Sequence, residues 1–271
     1  MARYKKKRAR ELQHDRFRDT AIGLFDRLGN VLEGRGRTIL YGLGGLVVVG
    51  AAVWAGVAWS NKKSNEARRA IGRGIAIASA PLASAASPMA STAGSFANEK
   101  ERATKAIEEF EKVAAKYGDP YRTEARYFIA TNRLIIDRPK AIEELTELSN
   151  SNQTDVATLA KFALAQAKEA DGKFDEAAPL YSQIAGLNSV IVSPDTAKVR
   201  LAAVYQKQGK KKEAAEILFQ IVDAARKAKD KEGNPVPQSG AAQKASQELQ
   251  KLDPDRYAQL PPEPPRTGFG V

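Results

Sequence analysis

The fold is decided by a nine-residue pattern that occurs four times: KAIEEFEKV at 105–113, KAIEELTEL at 140–148, EAAPLYSQI at 176–184 and EAAEILFQI at 213–221. Every copy has alanine at its second position, a large residue at its sixth and an aliphatic residue at its ninth. Steps of four and then three residues place these side chains on one face of an α-helix. The alanines Ala106, Ala141, Ala177 and Ala214 are separated by 35, 36 and 37 residues. The pattern therefore predicts one helix repeated four times.

A second helical pattern precedes each of the last three copies. It pairs a large residue with a small one, at Ile129-Ala130, Leu164-Ala165 and Leu201-Ala202. Turn residues follow at Asp137-Arg138-Pro139, Gly172-Lys173 and Gly209-Lys210, where glycine can adopt the left-handed conformation that ends a helix. The predicted unit is a helix–turn–helix with a period near 34 residues. Because one helix pair cannot bury both of its faces, successive pairs must stack into a superhelix.

The spacing of these residues resembles that of the tetratricopeptide repeat family. Matching positions in the unit 158–191 are Leu164, Ala165, Gly172, Phe174, Ala177 and Tyr181, and in the unit 195–228 they are Leu201, Ala202, Tyr205, Gly209 and Ala214. Lys161 replaces an aromatic residue of the family pattern, and the unit 123–156 has a turn one residue short. The resemblance implies an all-α superhelix of about four helix pairs, whose concave groove is lined mainly by the first helix of each pair.

Nine residues would line this groove if the resemblance carries over: Glu124, Tyr127, Thr131, Phe162, Gln166, Glu169, Val199, Ala203 and Gln206. Tyr127, Phe162 and Val199 occupy equivalent sites where carboxylate-clamp members of the family carry lysine. The groove is therefore expected to suit a partly apolar polypeptide better than a C-terminal carboxylate. The same three side chains could instead fill the core between repeats, and the sequence leaves both interpretations open.

A second feature is the uncharged stretch ILYGLGGLVVVGAAVWAGVAW at 39–59. As a helix rising about 1.5 Å per residue it would span roughly 31 Å, close to the thickness of a bilayer's hydrocarbon core. Tyr41, Trp54 and Trp59 lie toward its ends, as expected of rings that prefer the membrane interface. The flanking basic residues are Arg35 and Arg37 on one side and Lys62 and Lys63 on the other. We therefore expect a transmembrane helix over 38–60.

Most of the net charge of +11 surrounds this stretch. Residues 1–37 carry eleven Lys or Arg and five Asp or Glu, whereas the chain after residue 63 has an excess of only three basic residues. The positive-inside rule then predicts a single-pass inner (cytoplasmic) membrane protein with a cytoplasmic N-terminus and an extracytoplasmic repeat domain. The basic and apolar regions are too long for a cleaved signal peptide, so an uncleaved anchor is expected. No specific nucleic-acid partner is expected.

The remaining segments complete a domain prediction. Residues 1–37 form a basic cytoplasmic segment whose amphipathic helix would contact lipid headgroups or dock on a cytoplasmic partner. The repeat domain covers 64–228 and contains a flexible insertion at 81–97, rich in Ala and Ser. A loop and capping helix follow at 229–252, and the Pro-rich stretch 253–271 is expected to be a disordered tail.

The sequence offers no catalytic machinery. There is no cysteine, and the single histidine, His14, lies in the basic N-terminal segment. No Gly-rich phosphate loop or Ser–His pair is present, and paired carboxylates such as Glu108-Glu109 are better explained as solvated helix faces. We therefore predict a non-enzyme with no catalytic residues, no metal site and no cofactor.

The layout of anchor, Ala-rich helix and small repeat domain over about 35–226 resembles the YfgM-like family, ancillary components of the bacterial Sec translocon. That resemblance implies translocon subunits and extracytoplasmic chaperones as partners, and membrane lipids would contact the anchor and the basic segment. The leading hypothesis is a membrane-tethered scaffold or chaperone-like adaptor that binds polypeptides. An alternative is a structural assembly protein that organises an envelope or secretion complex by self-association. A third is a lipid- or nucleic-acid-binding module based on residues 1–37.

Overall fold

The computed structural model describes residues 50–55, 57–83, 95–187 and 189–263. The chain divides into two units, Met1–Asn65 and Glu66–Val271. In the first unit the described residues 50–55 and 57–65 are helical and carry exposed apolar side chains, with Trp54 74% and Trp59 62% exposed. No helix within the described ranges is both long and apolar enough to span a membrane. Most of the span predicted over 38–60, its flanks Arg35 and Arg37, and the whole segment 1–37 lie outside these ranges.

The second unit is built from helices throughout its described length. The first, α1, covers 66–78. The others are α2 (Glu99–Lys116), α3 (Tyr121–Arg133), α4 (Arg138–Leu148), α5 (Thr154–Ala170), α6 (Phe174–Ala185), α7 (Pro194–Lys207), α8 (Lys211–Lys227), α9 (Gly240–Leu252) and the short α10 (Pro254–Tyr257). From α2 to α9 each helix packs on the next one along the chain, as in a solenoid in which every repeat contacts only its neighbours. The helix–turn–helix prediction is confirmed.

The core of this unit is the repeated helical face identified in the sequence. The twelve aligned side chains are all at most 3% exposed: Ala106, Ala141, Ala177 and Ala214, then Phe110, Leu145, Tyr181 and Leu218, then Val113, Leu148, Ile184 and Ile221. Alanine lets the partner helix approach closely, and each large side chain that is fully buried stabilises the fold by about 1.5–3 kcal/mol. The large–small pairs of the first helices are buried too, with Ala130, Ala165 and Ala202 at 0%.

Two turns between paired helices depend on glycine. Gly172 and Gly209 have φ angles of 72° and 77°, in the left-handed region that side chains other than glycine rarely adopt. The residue after each glycine donates its backbone N–H to a carbonyl in the last turn of the preceding helix, over 2.9 Å from Lys173 to Lys168 and 2.9 Å from Lys210 to Tyr205. The predicted glycine caps of α5 and α7 are therefore confirmed.

The first helix pair is formed by α1 and α2. Ala70 and Ile71 of α1 share a buried cluster with Ile107 and Phe110 of α2. Gly74 lies directly against Phe110, since a Cβ atom placed on this glycine would be 2.5 Å from the ring. The ring has no freedom to move away because it is fully buried and stacks on Phe128 at a centroid distance of 4.9 Å.

The two ends of the insertion expected at 81–97 contact each other. Leu82 and Phe96 form an isolated parallel bridge, and the backbone N–H of Ala83 donates to the Phe96 carbonyl over 2.8 Å. The Arg102 guanidinium of α2 donates to the carbonyl of Ala80 over 3.0 Å, which fixes the exit from α1. The two ends of the insertion are thus held side by side, and residues 84–94 lie outside the described ranges.

The C-terminal segment differs from the prediction of a disordered tail over 253–271. Residues 253–263 are ordered: they form α10 and return to the end of the solenoid, where Leu260 is 8% exposed within the cluster shared by α8 and α9. Arg226 of α8 donates to the Tyr257 hydroxyl over 3.0 Å and also to the Pro261 carbonyl. The prolines suggested disorder, but Tyr257 and Leu260 supply the apolar surface that docks the segment. Residues 264–271 are outside the described part of the chain.

Candidate functional site

The predicted groove residues lie on α3, α5 and α7, the first helices of three successive pairs. Gln166 is exposed; Glu124, Tyr127, Thr131, Phe162, Glu169, Ala203 and Gln206 are half-buried; Val199 is buried at 6% exposure. Val199 packs into the cluster that joins α7, α8 and α9, so it presents little free surface. The nine residues therefore differ in how much of each side chain a partner could contact.

The predicted groove residues on α3 are only partly accessible to solvent, because their side chains also pack against the rest of the domain. Tyr127 packs against the cluster between α4 and α5, and burial raises the pKa of its phenol. Burial also raises the pKa of the Glu124 carboxyl, and the Arg68 charge on α1 partly offsets this increase. The Thr131 hydroxyl donates to the backbone carbonyl of Phe128 over 3.0 Å. At this end of the predicted groove the side chains pack largely against the protein core.

On α5 an aromatic pair and a carboxylate form a small polar network. Phe162 meets Tyr181 of α6 edge to face at a centroid distance of 5.7 Å. The Tyr181 side chain is fully buried, and its hydroxyl donates to Glu169 Oε2 over 2.7 Å. Burial raises the pKa of Tyr181 far above its ordinary value, and the hydrogen bond to Glu169 adds to this effect. Glu169 therefore provides the hydrogen-bond acceptor for the buried Tyr181 hydroxyl.

The spacing of the first helices is uneven, and side-chain size explains it. α3 packs directly on α5, and α7 packs directly on α9, whereas α5 and α7 lie further apart. Small residues occupy the two close contacts, Ala130 with Ala160 in one and Ala202 with Ala245 in the other. Phe162 of α5 and Tyr181 of α6 belong instead to a cluster that also contains Leu201 and Val204 of α7. A cleft lies between α5 and α7.

The cleft between α5 and α7, hereafter the α5–α7 cleft, has a volume of about 440 Å³. Its lining residues are Gln166, Glu169, Ala170, Gly172, Phe174, Arg200 and Lys207. Gln166 and Glu169 were predicted as groove residues, and the structure brings them together here. Within the described chain neither Arg200 nor Lys207 has a carboxylate within ion-pair distance.

The two basic residues were missed by the sequence analysis, although a signal was present. Arg200 and Lys207 are seven residues apart, so they lie on one face of α7, and neither has an acidic residue three or four positions away. Lys198 on the same helix pairs with Asp195 over 3.9 Å. Basic residues without a helical partner, on a helix expected to line a groove, would have identified the cleft.

Two other clefts contain polar or charged side chains that contact one another. A cleft of about 520 Å³ near the α5–α6 turn contains a hydrogen bond of 2.7 Å from Gln208 Nε2 to Asp175. A smaller one of about 200 Å³ contains the ion pair of Arg133 with Glu144. In each cleft one group is paired, but a second polar atom of the same side chain, Gln208 Oε1 in the larger and Glu144 Oε2 in the smaller, is buried without a hydrogen-bond partner within the described chain.

The two lysines that follow the predicted transmembrane helix lie in the described part of the chain. Lys62 and Lys63 are exposed, and the Lys63 ammonium lies 3.8 Å from the centroid of the Trp59 ring, a cation–π contact.

In the described ranges no three His, Cys, Asp or Glu side chains are grouped closely enough to hold a metal ion.

The order of helix pairs, the left-handed turn glycines and the buried repeat positions define the class: a helical-repeat protein built from stacked helix–turn–helix units. No protein-family model matches the chain. No protein with a curated description matches it either. A solved structure from Podosopora anserina, a putative kinesin light chain with nearly identical TPR-like repeats, is similar at 22% identity and a TM-score of 0.44. The match covers 56% of this chain and 77% of that one, and a variant of the same protein gives the same values.

Proposed function

We propose that this chain is a membrane-tethered interaction scaffold that binds polypeptides through the groove formed by α3, α5 and α7. The observation that carries the proposal is the α5–α7 cleft, which is open to solvent and lined by polar side chains from two successive repeats. Solenoids of helix pairs present concave surfaces of this kind for extended partners. Gln166 is exposed in the cleft and offers both an amide donor and an acceptor to the backbone of such a partner.

The tether is part of the proposal. It is supported by the uncharged stretch 39–59 and by the solvent-exposed apolar side chains of Val53, Trp54, Val57 and Trp59. Large apolar side chains exposed together are unusual on a protein surface that faces water, and a lipid environment would cover them. Tethering would also raise the local concentration of groove and partner, so weak binding would suffice.

A finer version of the proposal places the scaffold at the protein translocon, with translocon subunits and extracytoplasmic chaperones as partners. Its support is the order of basic segment, uncharged stretch and repeat domain along the chain. Affinity purification from membranes in mild detergent, followed by mass spectrometry, tests this version. Recovery of the full chain without any translocon subunit or chaperone would remove the translocon version and leave the scaffold untouched.

Photo-crosslinking tests the groove itself. A photoreactive amino acid would replace Gln166 or Ala170, which line the cleft, and Glu143 of α4 as a control, since Glu143 is exposed and outside the cleft. We expect discrete adducts with other polypeptides from the two cleft positions and none from the control. Equal adducts from all three positions would contradict a groove. A ladder of self-adducts would instead support the assembly protein that the sequence also allows.

A further inference from the structure

We infer that the α5–α7 cleft selects acidic polypeptide segments, with Arg200 and Lys207 binding the carboxylates of an extended partner chain. This inference rests on the proposed function and adds to it the chemistry of the partner. It also departs from the sequence-based expectation of a partly apolar partner, which relied on Tyr127, Phe162 and Val199.

The cleft lining carries more positive than negative charge. Some basic side chains elsewhere on the repeats have acidic partners, for example Arg138 with Asp171 over 2.7 Å and Arg126 with Glu147 over 2.8 Å. Arg200 and Lys207 have none within the described chain. Arg200 is half-buried, so its charge is less screened by water than that of a fully exposed side chain.

The one acidic residue in the lining offsets only part of this charge. Glu169 Oε2 accepts the hydrogen bond of the buried Tyr181 hydroxyl, and this contact holds the carboxylate toward the core. The adjacent cation, Lys168, is paired with Glu176 over 2.5 Å and is outside the lining. A hydrogen bond from a neutral phenol leaves the negative charge of Glu169 in place, so Arg200, Lys207 and Glu169 together give the cleft lining a net charge of +1.

The geometry suits carboxylates spaced along an extended chain. Two helical turns separate Arg200 from Lys207, which is about 10 Å along α7. Acidic residues three positions apart in a peptide with polyproline II conformation lie on the same face and are separated by about 9 Å. A guanidinium can bind a carboxylate through two parallel hydrogen bonds, and the exposed Gln166 amide lies on the opposite wall for the peptide backbone. Ala170 and Phe174 provide apolar surface at the edge of the same cleft.

The test compares two peptides on the full chain reconstituted in lipid nanodiscs. Both are fluorescent, blocked at both termini and fourteen residues long; one has Glu at every third position and the other has Gln at those positions. Blocked termini ensure that only side-chain carboxylates are compared. We expect the Glu peptide to bind about tenfold more tightly by fluorescence anisotropy, as charge-assisted hydrogen bonds to a carboxylate would give. The advantage should shrink as salt is raised.

Charge-matched variants separate the cleft from general electrostatics. Arg200→Gln should weaken binding of the Glu peptide about tenfold, and Lys207→Gln about threefold because Lys207 is more exposed. Lys212→Gln removes the same charge from an exposed position on α8 outside the cleft and should change nothing. Equal losses in all three variants would show general attraction, including attraction to the basic N-terminal segment, and would overturn the inference. Circular dichroism would confirm that every variant remains folded.

Failure of this inference is distinguishable from failure of the proposed function. If both peptides bind equally and Gln166 still gives crosslinks, the groove binds polypeptides without the acidic preference, and the inference alone is wrong. If neither peptide binds and the cleft positions give no crosslinks, the proposed function itself is wrong.

Discussion

At the scale of single residues, two glycines on α1 show that the tolerance of a position to substitution depends on how closely its neighbours pack. Gly72 and Gly74 are both helical and lie half a turn apart. A Cβ at Gly72 would meet open space, whereas one at Gly74 would lie 2.5 Å from the Phe110 ring. The same substitution should therefore have opposite effects at the two positions.

We expect Gly74→Ala to lower the free energy of unfolding by about 1–3 kcal/mol, because overpacking against a ring that cannot move outweighs the better helix propensity of alanine. Gly72→Ala should raise it by up to about 1 kcal/mol through propensity alone. Urea titrations followed by circular dichroism would measure both. Gly74→Ala should cost less stability in a Phe110→Leu background than in the unaltered chain, and an equal cost in both backgrounds would show that the clash is not the cause.

The hydrogen bond between Tyr181 and Glu169 makes a second prediction at this scale. Glu169→Ala leaves a buried phenolic hydroxyl without an acceptor and should cost about 1–3 kcal/mol. Tyr181→Phe leaves behind only a half-buried carboxylate that the cleft can hydrate, so it should cost about 1 kcal/mol or less. The double variant should lose less stability than the sum of the single losses. Strict additivity in the urea titrations would show that the two groups do not interact.

At the scale of elements, the sequence predicted the helices well because their signals are local and repeated. Alanine and large residues at steps of four and three determined the buried face of α2, α4, α6 and α8, and glycine determined the ends of α5 and α7. The ordered stretch 253–263 could not be predicted in the same way, since its order depends on contacts with α8 rather than on its own periodicity. The open α5–α7 cleft depends likewise on which side chains meet between two helices.

The docked C-terminal stretch gives a prediction about the last helix pair. A chain that ends after Leu252 loses Leu260 and the partners of Arg226, which exposes the cluster between α8 and α9. Hydrogen exchange should then increase in α8 and α9 and remain unchanged in α3 and α4, because repeats are stabilised by their nearest neighbours. A chain that ends after Glu263 serves as the control and should exchange like the full chain. Increased exchange throughout the unit would contradict nearest-neighbour stability.

At the scale of the whole molecule, the distribution of tryptophan provides a direct test of the tether. The chain has two tryptophans, Trp54 and Trp59, both in the first unit and both largely exposed. Intrinsic tryptophan fluorescence therefore reports on that region alone, without a contribution from the repeat domain.

We expect brominated lipids to quench this fluorescence strongly in reconstituted vesicles, because indole rings in a membrane-anchored helix sit at the lipid interface. Aqueous acrylamide should quench it weakly. A urea concentration that unfolds the repeats, as followed by circular dichroism, should leave the emission maximum unchanged. Strong acrylamide quenching together with no effect of brominated lipid would contradict the tether.

The bridge between Leu82 and Phe96 has a consequence for engineering. Its backbone contacts hold residues 83 and 96 side by side, so the chain that joins them closes a loop whose ends are already fixed. The entropy of closing such a loop rises slowly, by about 0.6 kcal/mol for each doubling of its length. A grafted fluorescent protein or affinity epitope inserted between these two residues should therefore cost the repeat domain little stability, and it would lie far along the chain from the residues that line the α5–α7 cleft.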